Sequence, residues 1–333
     1  MVRTINISEV VNMDKKMYLR GLAGQIFYNS TELLALALTY RPVPKNVELI
    51  KNVRYGKEKN NYMFNYCLKD KKSEKKPLLI YIHGGGWISG LMTMRNPYIF
   101  NWAKKGFFAS SVNYTYAPQA VFPTQLKELF SALDYIIDRA DEYKIDPMNT
   151  VIAGESAGGY FITYITSCLE NPELLKKIGI EFKNIEKIRI KAVVSHCGCY
   201  DVESMISPDK KQSKFPDIKM MTSTFIGMPL KKLRDYTKTD EGKLLSPVFT
   251  EKFPPVYFTW CTHDFLRYEA FDLEEKLKKL GVPYRMFKGD GIIGNHAWTI
   301  VTMFKKAKTC LNDTFDFVLP YLPEYFGNSK ESE

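Results

Sequence analysis

The hydrophobic pattern changes period several times along the chain, and each change marks a different element. Over residues 1–45 Val10, Val11, Met17, Leu19 and Leu22 fall loosely on one helical face. Leu33, Leu34, Leu36 and Leu38 follow a cap expected at Ser30 or Thr31. Arg41-Pro-Val-Pro44 ends this helical segment, which has no strand partner nearby and so should lie over another part of the molecule. From residue 47 the period becomes two. Val47–Tyr55 and Tyr62–Leu68 read as a hairpin joined by the polar Gly56–Asn61. After a lysine-rich loop at 70–76, Pro77–His83 is continuously apolar, as a central strand buried on both faces should be.

Helix and strand then alternate. Helices are expected at 96–105, 123–144, 158–170, 267–280 and 297–318, with strands at 107–114, 149–155, 188–196, 255–261 and 283–288. Such alternation builds βαβ units and a parallel sheet. One stretch interrupts it. Residues 202–243 carry Met205, Met220, Met221 and Met228 among lysines, prolines and glycines, too long for an ordinary connection. Methionine-rich surface is adaptable, so this insertion reads as a lid over an apolar pocket; the plainer alternative is a helical cover for a sheet edge. The expected organisation is a helical cap segment (1–45), a first core part (46–201), a cap insertion (202–243) and a second core part (244–325).

Composition narrows the class without changing the fold. The 333 residues are 45% hydrophobic and 25% charged, which suits a globular α/β protein. The net charge is +10, but the lysines lie in scattered pairs such as Lys71-Lys72 and Lys278-Lys279, not in an aromatic-interleaved basic stripe. Nucleic acid is therefore not an expected partner, although a weak attraction to anionic surfaces fits this charge. Six cysteines form no C-x-x-C pair, so no metal site is expected, and most sit in apolar runs as small core residues. No signal-peptide pattern and no membrane-length apolar run is found, and a cytoplasmic location is expected.

The chemistry centres on Gly154-Glu155-Ser156-Ala157-Gly158, placed between a short apolar strand and an apolar helical run. This is the context of a nucleophile elbow, in which a serine sits on a sharp strand-to-helix turn with a helix N-terminus aimed at it. A second stretch, His83-Gly84-Gly85-Gly86-Trp87, follows the central strand. Its glycines leave backbone N–H groups open to an oxyanion, where one donor is worth roughly 3–4 kcal/mol in a transition state. Gly85 and Gly86, with Ala157, are the expected donors. His83 precedes the serine and is expected to brace the loop.

The chain has four histidines, at 83, 196, 263 and 296. With an elbow serine the acid and the base follow in the order Ser, Asp/Glu, His. Asp264 and His296 stand at carboxyl ends of strands, where a parallel sheet builds its site. Asp201 and His263 obey the order too, but His263 would have to turn toward Ser156 while its neighbour Asp264 turned away. The expected catalytic set is Ser156, Asp264 and His296. His196 and His263 are read as polar neighbours, and Asp201 and Glu155 as structural carboxylates. Trp87, Glu155 and Trp298 are expected at the pocket wall. Ser73-Glu-Lys-Lys76 matches S-x-x-K only by chance, in a lysine-rich loop.

From about residue 45 to 320 the chain resembles the hormone-sensitive-lipase-like family of α/β hydrolases. His83-Gly-Gly-Gly-Trp87 and Gly154-Glu-Ser-Ala-Gly-Gly159 match its signature motifs, and Tyr114-Thr-Tyr-Ala-Pro-Gln119, Phe122-Pro123, Leu245-Ser-Pro247, Pro254-Pro255, Asp264-Phe-Leu266 and Gly281-Val-Pro283 extend the match. The resemblance implies an α/β-hydrolase fold with a mostly parallel eight-stranded sheet and a helical cap. It also implies carboxylic-ester hydrolysis, no cofactor, and a homodimer in many members; the leading expectation is a serine esterase acting on short- to medium-chain acyl esters through an acyl-enzyme. Amidase or arylformamidase chemistry on the same triad and a non-catalytic ligand-binding role are the alternatives. The departures are Thr115 and Gln119 in place of Arg and Glu, which removes an ion pair, Glu155 before the nucleophile, His296-Ala-Trp298 for H-G-F, and a slightly long loop at 289–295.

Overall fold

The structure is a computed structural model and describes residues 13–211, 214, 216–290 and 296–327. Among these residues eight strands form one sheet: β1 (Val47–Arg54), β2 (Tyr62–Leu68), β3 (Lys76–Ile82), β4 (Phe108–Val112), β5 (Ile145–Glu155), β6 (Ile190–His196), β7 (Val256–Cys261) and β8 (Tyr284–Gly289). Their spatial order is β1-β2-β4-β3-β5-β6-β7-β8. The β1–β2 and β2–β4 pairs are antiparallel and the remaining pairs parallel. Every residue of β3 is buried, as its unbroken apolar run requires. Alternate side chains enter opposite cores: Leu78, Ile80 and Ile82 on one face, Leu79 and Tyr81 on the other.

Helices α2 (Met92–Lys104) and α9 (Lys305–Val318) cover the second of these faces through Trp102, Phe315 and their neighbours. On the first face lie α3 (Thr124–Asp138), α4 (Ala157–Glu170) and α8 (Arg267–Leu280). The register aligns Ile82 with Gly154 and Glu155 with His196, so the segments that follow β3, β5 and β6 emerge side by side at one end of the sheet.

Helix α1 (Lys15–Thr39) and the insertion stand over that end. The insertion folds into α5 (Val202–Ile206), α6 (Pro216–Ile226), α7 (Leu230–Tyr236) and a final turn at Asp240–Lys243. The Tyr28 hydroxyl donates to Asp217 Oδ2 at 2.6 Å and ties α1 to α6. Within the insertion Met205 and Met228 are buried, so part of its methionine content is its own core.

Several sequence expectations are corrected. The cap of α1 is Asp14, which accepts from the Met17 N–H at 2.8 Å. Ser30 and Thr31 lie inside the helix, where their hydroxyls donate to the carbonyls of Ile26 and Tyr28. Their capping chemistry is spent within the helix instead of ending it. Val10 and Val11 fall outside the described residues. The helix expected at 96–105 begins at Met92. The one expected at 123–144 divides at Arg139 into α3 and a short helix, Ala140–Tyr143. The strand expected at 149–155 begins at Ile145. The helix expected at 297–318 starts only at Lys305, because Ala297 adopts φ 56° and a 3-10 turn, Trp298–Ile300, follows.

Candidate active site

Ser156 joins β5 to α4 with φ 54° and ψ −120°, a left-handed conformation costly for a residue with a side chain. The turn closes only because its neighbours are small. A Cβ on Gly158 would run into the Ile82 carbonyl, and one on Gly84 would meet the Glu155 carbonyl at 2.5 Å and Ser156 Cβ at 2.9 Å. The glycine loop after β3 therefore lies against the elbow. The Ser156 N–H donates to the His196 carbonyl at 2.9 Å, which fastens the turn to β6.

His296 Nε2 lies 2.7 Å from Ser156 Oγ, and His296 Nδ1 lies 2.9 Å from Asp264 Oδ1. Asp264 Oδ1 also accepts the Leu266 N–H at 2.8 Å. Asp264 is buried, whereas the His296 side chain keeps 23% exposure. Burial pushes the Asp264 carboxyl up, but the charge and hydrogen bond of His296 outweigh it and hold it below its ordinary value. The carboxylate thus stays ionised at neutral pH, oriented to stabilise an imidazolium. Phe265 packs beside the imidazole, ring centroids 4.5 Å apart. The Cys197 thiol completes a group with Asp264 and His296 spaced within 4.8 Å, as metal ligands would be. Both ring nitrogens of His296 are already hydrogen-bonded, Nε2 to Ser156 and Nδ1 to Asp264.

Ser156, Gly85, Gly86, Trp87, Ala157, Glu155, His296 and Trp298 line a single cavity of about 520 Å³. Its remaining wall is mostly apolar, with Met205, Ile218 and Met221 from the insertion and Ile300, Val301 and Phe304 from the segment before α9. Trp87 stacks on Phe225 with centroids 4.6 Å apart and planes 7° apart, so the insertion fixes its ring. A serine hydroxyl beside an oriented imidazole, facing open glycine backbone within an apolar cavity, can carry out nucleophilic acyl transfer.

The other candidates lie elsewhere. His83 is buried, stacked on Tyr114, with Nε2 2.9 Å from Asn113 Oδ1. Burial, reinforced by Arg95, lowers its pKa. His196 is buried between Tyr98 and Thr259, and burial lowers its pKa to about 3. His263 is exposed. Asp201 accepts from the Glu203 N–H and the Ser246 hydroxyl at the start of α5. The alternative set of Asp201 and His263 is not assembled. All six cysteines are buried. Residues 291–295 of the loop before His296 lie outside the described residues.

Sequence reasoning placed Glu155 at the pocket wall but missed its charged companions in the cavity, Arg95 and Glu32. Arg95 in α2 is buried and donates from Nε to Glu155 Oε1 at 2.7 Å. Its Nη1 and Nη2 donate to Glu32 of α1 at 2.8 and 2.9 Å. Glu155 also accepts the Tyr81 hydroxyl. The signal was present: Glu32 is the lone charge in the apolar run from Leu22 to Leu38. Thr115, where an arginine was expected, donates its N–H and hydroxyl to Glu128 at 2.7 and 2.6 Å. Gln119 pairs with Gln25 of α1.

Comparison with known proteins gives a consistent picture. The BD-FAE family model matches residues 65–264, more than half of the chain. An esterase of Gibberella moniliformis is 26% identical over 87% of this chain and 86% of its own length. Hormone-sensitive lipase of Mus musculus is 35% identical over 85 residues, 25% of this chain and 11% of that protein. Among solved structures, inhibited esterase B of Lactobacillus rhamnosis superposes with a TM-score of 0.77 at 16% identity, covering 95% of this chain and all of that one. No described helix is long and apolar enough to cross a membrane.

Proposed function

The chain belongs to the BD-FAE family, and on that premise we propose that it is a serine carboxylesterase acting on short- to medium-chain acyl esters. The observation that carries this reading is the line from Ser156 Oγ through His296 to Asp264, with steps of 2.7 and 2.9 Å. Ser156 Oγ attacks the ester carbonyl carbon while His296 Nε2 takes its proton. The N–H groups of Gly85, Gly86 and Ala157 receive the negative charge on the carbonyl oxygen. Collapse expels the alcohol, which leaves with the proton from His296, and the acyl group stays on Ser156. Water, deprotonated by His296, then attacks the acyl carbon, and the acid departs as Ser156 regains its proton.

A cavity of about 520 Å³ falls in the lower half of the ~300–1,000 Å³ range of small-molecule pockets, which supports modest acyl chains. Helix α1 and residues 202–243 serve as the cap, since both contribute walls to the cavity: Tyr28 and Glu32 from the first, Met205, Ile218 and Met221 from the second.

The test is hydrolysis of p-nitrophenyl esters from acetate to dodecanoate by wild type and Ser156→Ala. Wild type should turn over the shorter chains, and Ser156→Ala should lose about 10⁴-fold or more with unchanged melting. Turnover that survives Ser156→Ala, or a folded wild type active on formylated arylamines and on no ester, would overturn the reading.

A further inference from the structure

Helix α1 turns one face inward to the cavity, and among the described residues nothing covers the opposite face. Ile26 is 68% exposed, Phe27 60%, Leu34 66% and Leu38 72%, with Leu19 and Leu33 more than half exposed. Positions 19, 26 and 33, and 27, 34 and 38, recur at spacings of seven and four, so they form one stripe on the helix. From Leu19 to Leu38 it runs about 30 Å. Contiguous apolar surface of this kind marks an interaction site.

We propose that this outer face of α1 docks onto the surface of a bilayer rich in anionic phospholipid. Charge decides between occupants. Residues 13–46 carry five cations, Lys15, Lys16, Arg20, Arg41 and Lys45, and two carboxylates. All five cations are exposed at the two ends of the stripe. The carboxylates are engaged: Asp14 caps the helix and Glu32 points inward to Arg95. A second copy of α1, parallel or antiparallel, would set cation against cation at both ends with no free acid on the helix to answer them. An anionic lipid surface meets the same cations with opposite charge and the stripe with acyl chains. Tyr18 and Tyr40, both exposed, flank the stripe at its two ends, where an amphipathic ring suits a boundary between water and hydrocarbon. The helix would lie in the interface rather than span it, in keeping with the absence of a membrane-length apolar helix among the described residues.

This inference stands apart from the esterase reading, because docking requires no chemistry at Ser156. Its consequence for that reading is positional: Tyr28 and Glu32 of the same helix line the cavity, so a docked α1 holds the cavity beside the bilayer.

The experiment is co-sedimentation of the full chain with vesicles of phosphatidylcholine alone or mixed with phosphatidylglycerol, at low and high salt. Ile26→Ser/Leu34→Ser/Leu38→Ser and Lys15→Glu/Lys16→Glu/Arg20→Glu are run beside wild type. Wild type should bind the mixed vesicles, more weakly at high salt and on phosphatidylcholine alone, and each triple variant should lose about tenfold or more in partition. All should melt alike and hydrolyse a dissolved ester alike, a readout that reports on the esterase reading separately. Wild type left in the supernatant with mixed vesicles overturns the proposal, as does a serine triple variant that binds equally well. So does a wild-type dimer that binds no vesicle and that the serine substitutions dissociate.

Discussion

Arg95→Met is the substitution that tests most directly how the nucleophile's turn is held. The Arg95 side chain is 4% exposed and makes three charged hydrogen bonds, one to Glu155 and two to Glu32. Methionine fills much of the stem's volume but answers neither carboxylate. Breaking a buried ion pair by removing one partner costs about 3–5 kcal/mol. Glu155 is 1% exposed and bears this in full, whereas Glu32 at 14% can recover solvent. A loss of about 4 kcal/mol is expected. Glu32→Gln keeps the shape and one acceptor and leaves the Arg95–Glu155 pair intact, so it should cost only about 1–2 kcal/mol. Because Glu155 adjoins Ser156, relaxing its carboxylate should also shift the nucleophile, and a displacement near 1 Å costs about 10²-fold in rate. Urea unfolding followed by circular dichroism, with kcat on a dissolved ester, measures both effects. The reasoning fails if Arg95→Met is no more destabilising than Glu32→Gln, or if it unfolds earlier with kcat untouched.

Three further outcomes are expected. Asp264→Asn should lower kcat by about 10⁴-fold through the wrong imidazole tautomer, with little change in KM when a series of ester concentrations is run. His196, buried with its pKa lowered to about 3 from an ordinary 6.5, binds its proton more readily in the unfolded chain. Stability is therefore complete above pH 6.5 and falls below it by about 1.4 kcal/mol per pH unit. Unfolding at pH 6.5 and 4.5 should show His196→Gln losing about 2–3 kcal/mol less than wild type; equal losses would mean that the ring protonates freely. At Glu32 burial raises the carboxyl pKa, yet Arg95 outweighs it and the net value is below 4.5. Its share of stability is thus present above pH 4.5 and fades as pH falls through the acid range, a fade that Glu32→Gln should remove from the unfolding profile.

What the sequence made legible was local or repeated. The apolar run of β3, the small residues around Ser156 and the open backbone at Gly85 and Gly86 each follow from a constraint within a few residues, and the chain order of acid and base comes from the resemblance to α/β hydrolases. The Ser156–His296 contact spans 140 positions, yet it could be anticipated because strand ends of a parallel sheet converge. Of the Glu32–Arg95–Glu155 array only Glu32 stood out, as the lone charge of its run; the pairing did not. Its members come from α1, α2 and the elbow, and nothing in the periodicity of α1 says which face turns inward. Capping propensity misled at Ser30 and Thr31 because a hydroxyl inside a helix can satisfy itself on the preceding turn, and packing of α1 on α6 then carries the helix through. At Ala297 one left-handed residue, invisible to any hydrophobic count, moved the start of α9 to Lys305. The chain between His296 and Lys305, which opens with the 3-10 turn Trp298–Ile300 and not with an α-helix, contributes Trp298, Ile300, Val301 and Phe304 to the cavity wall.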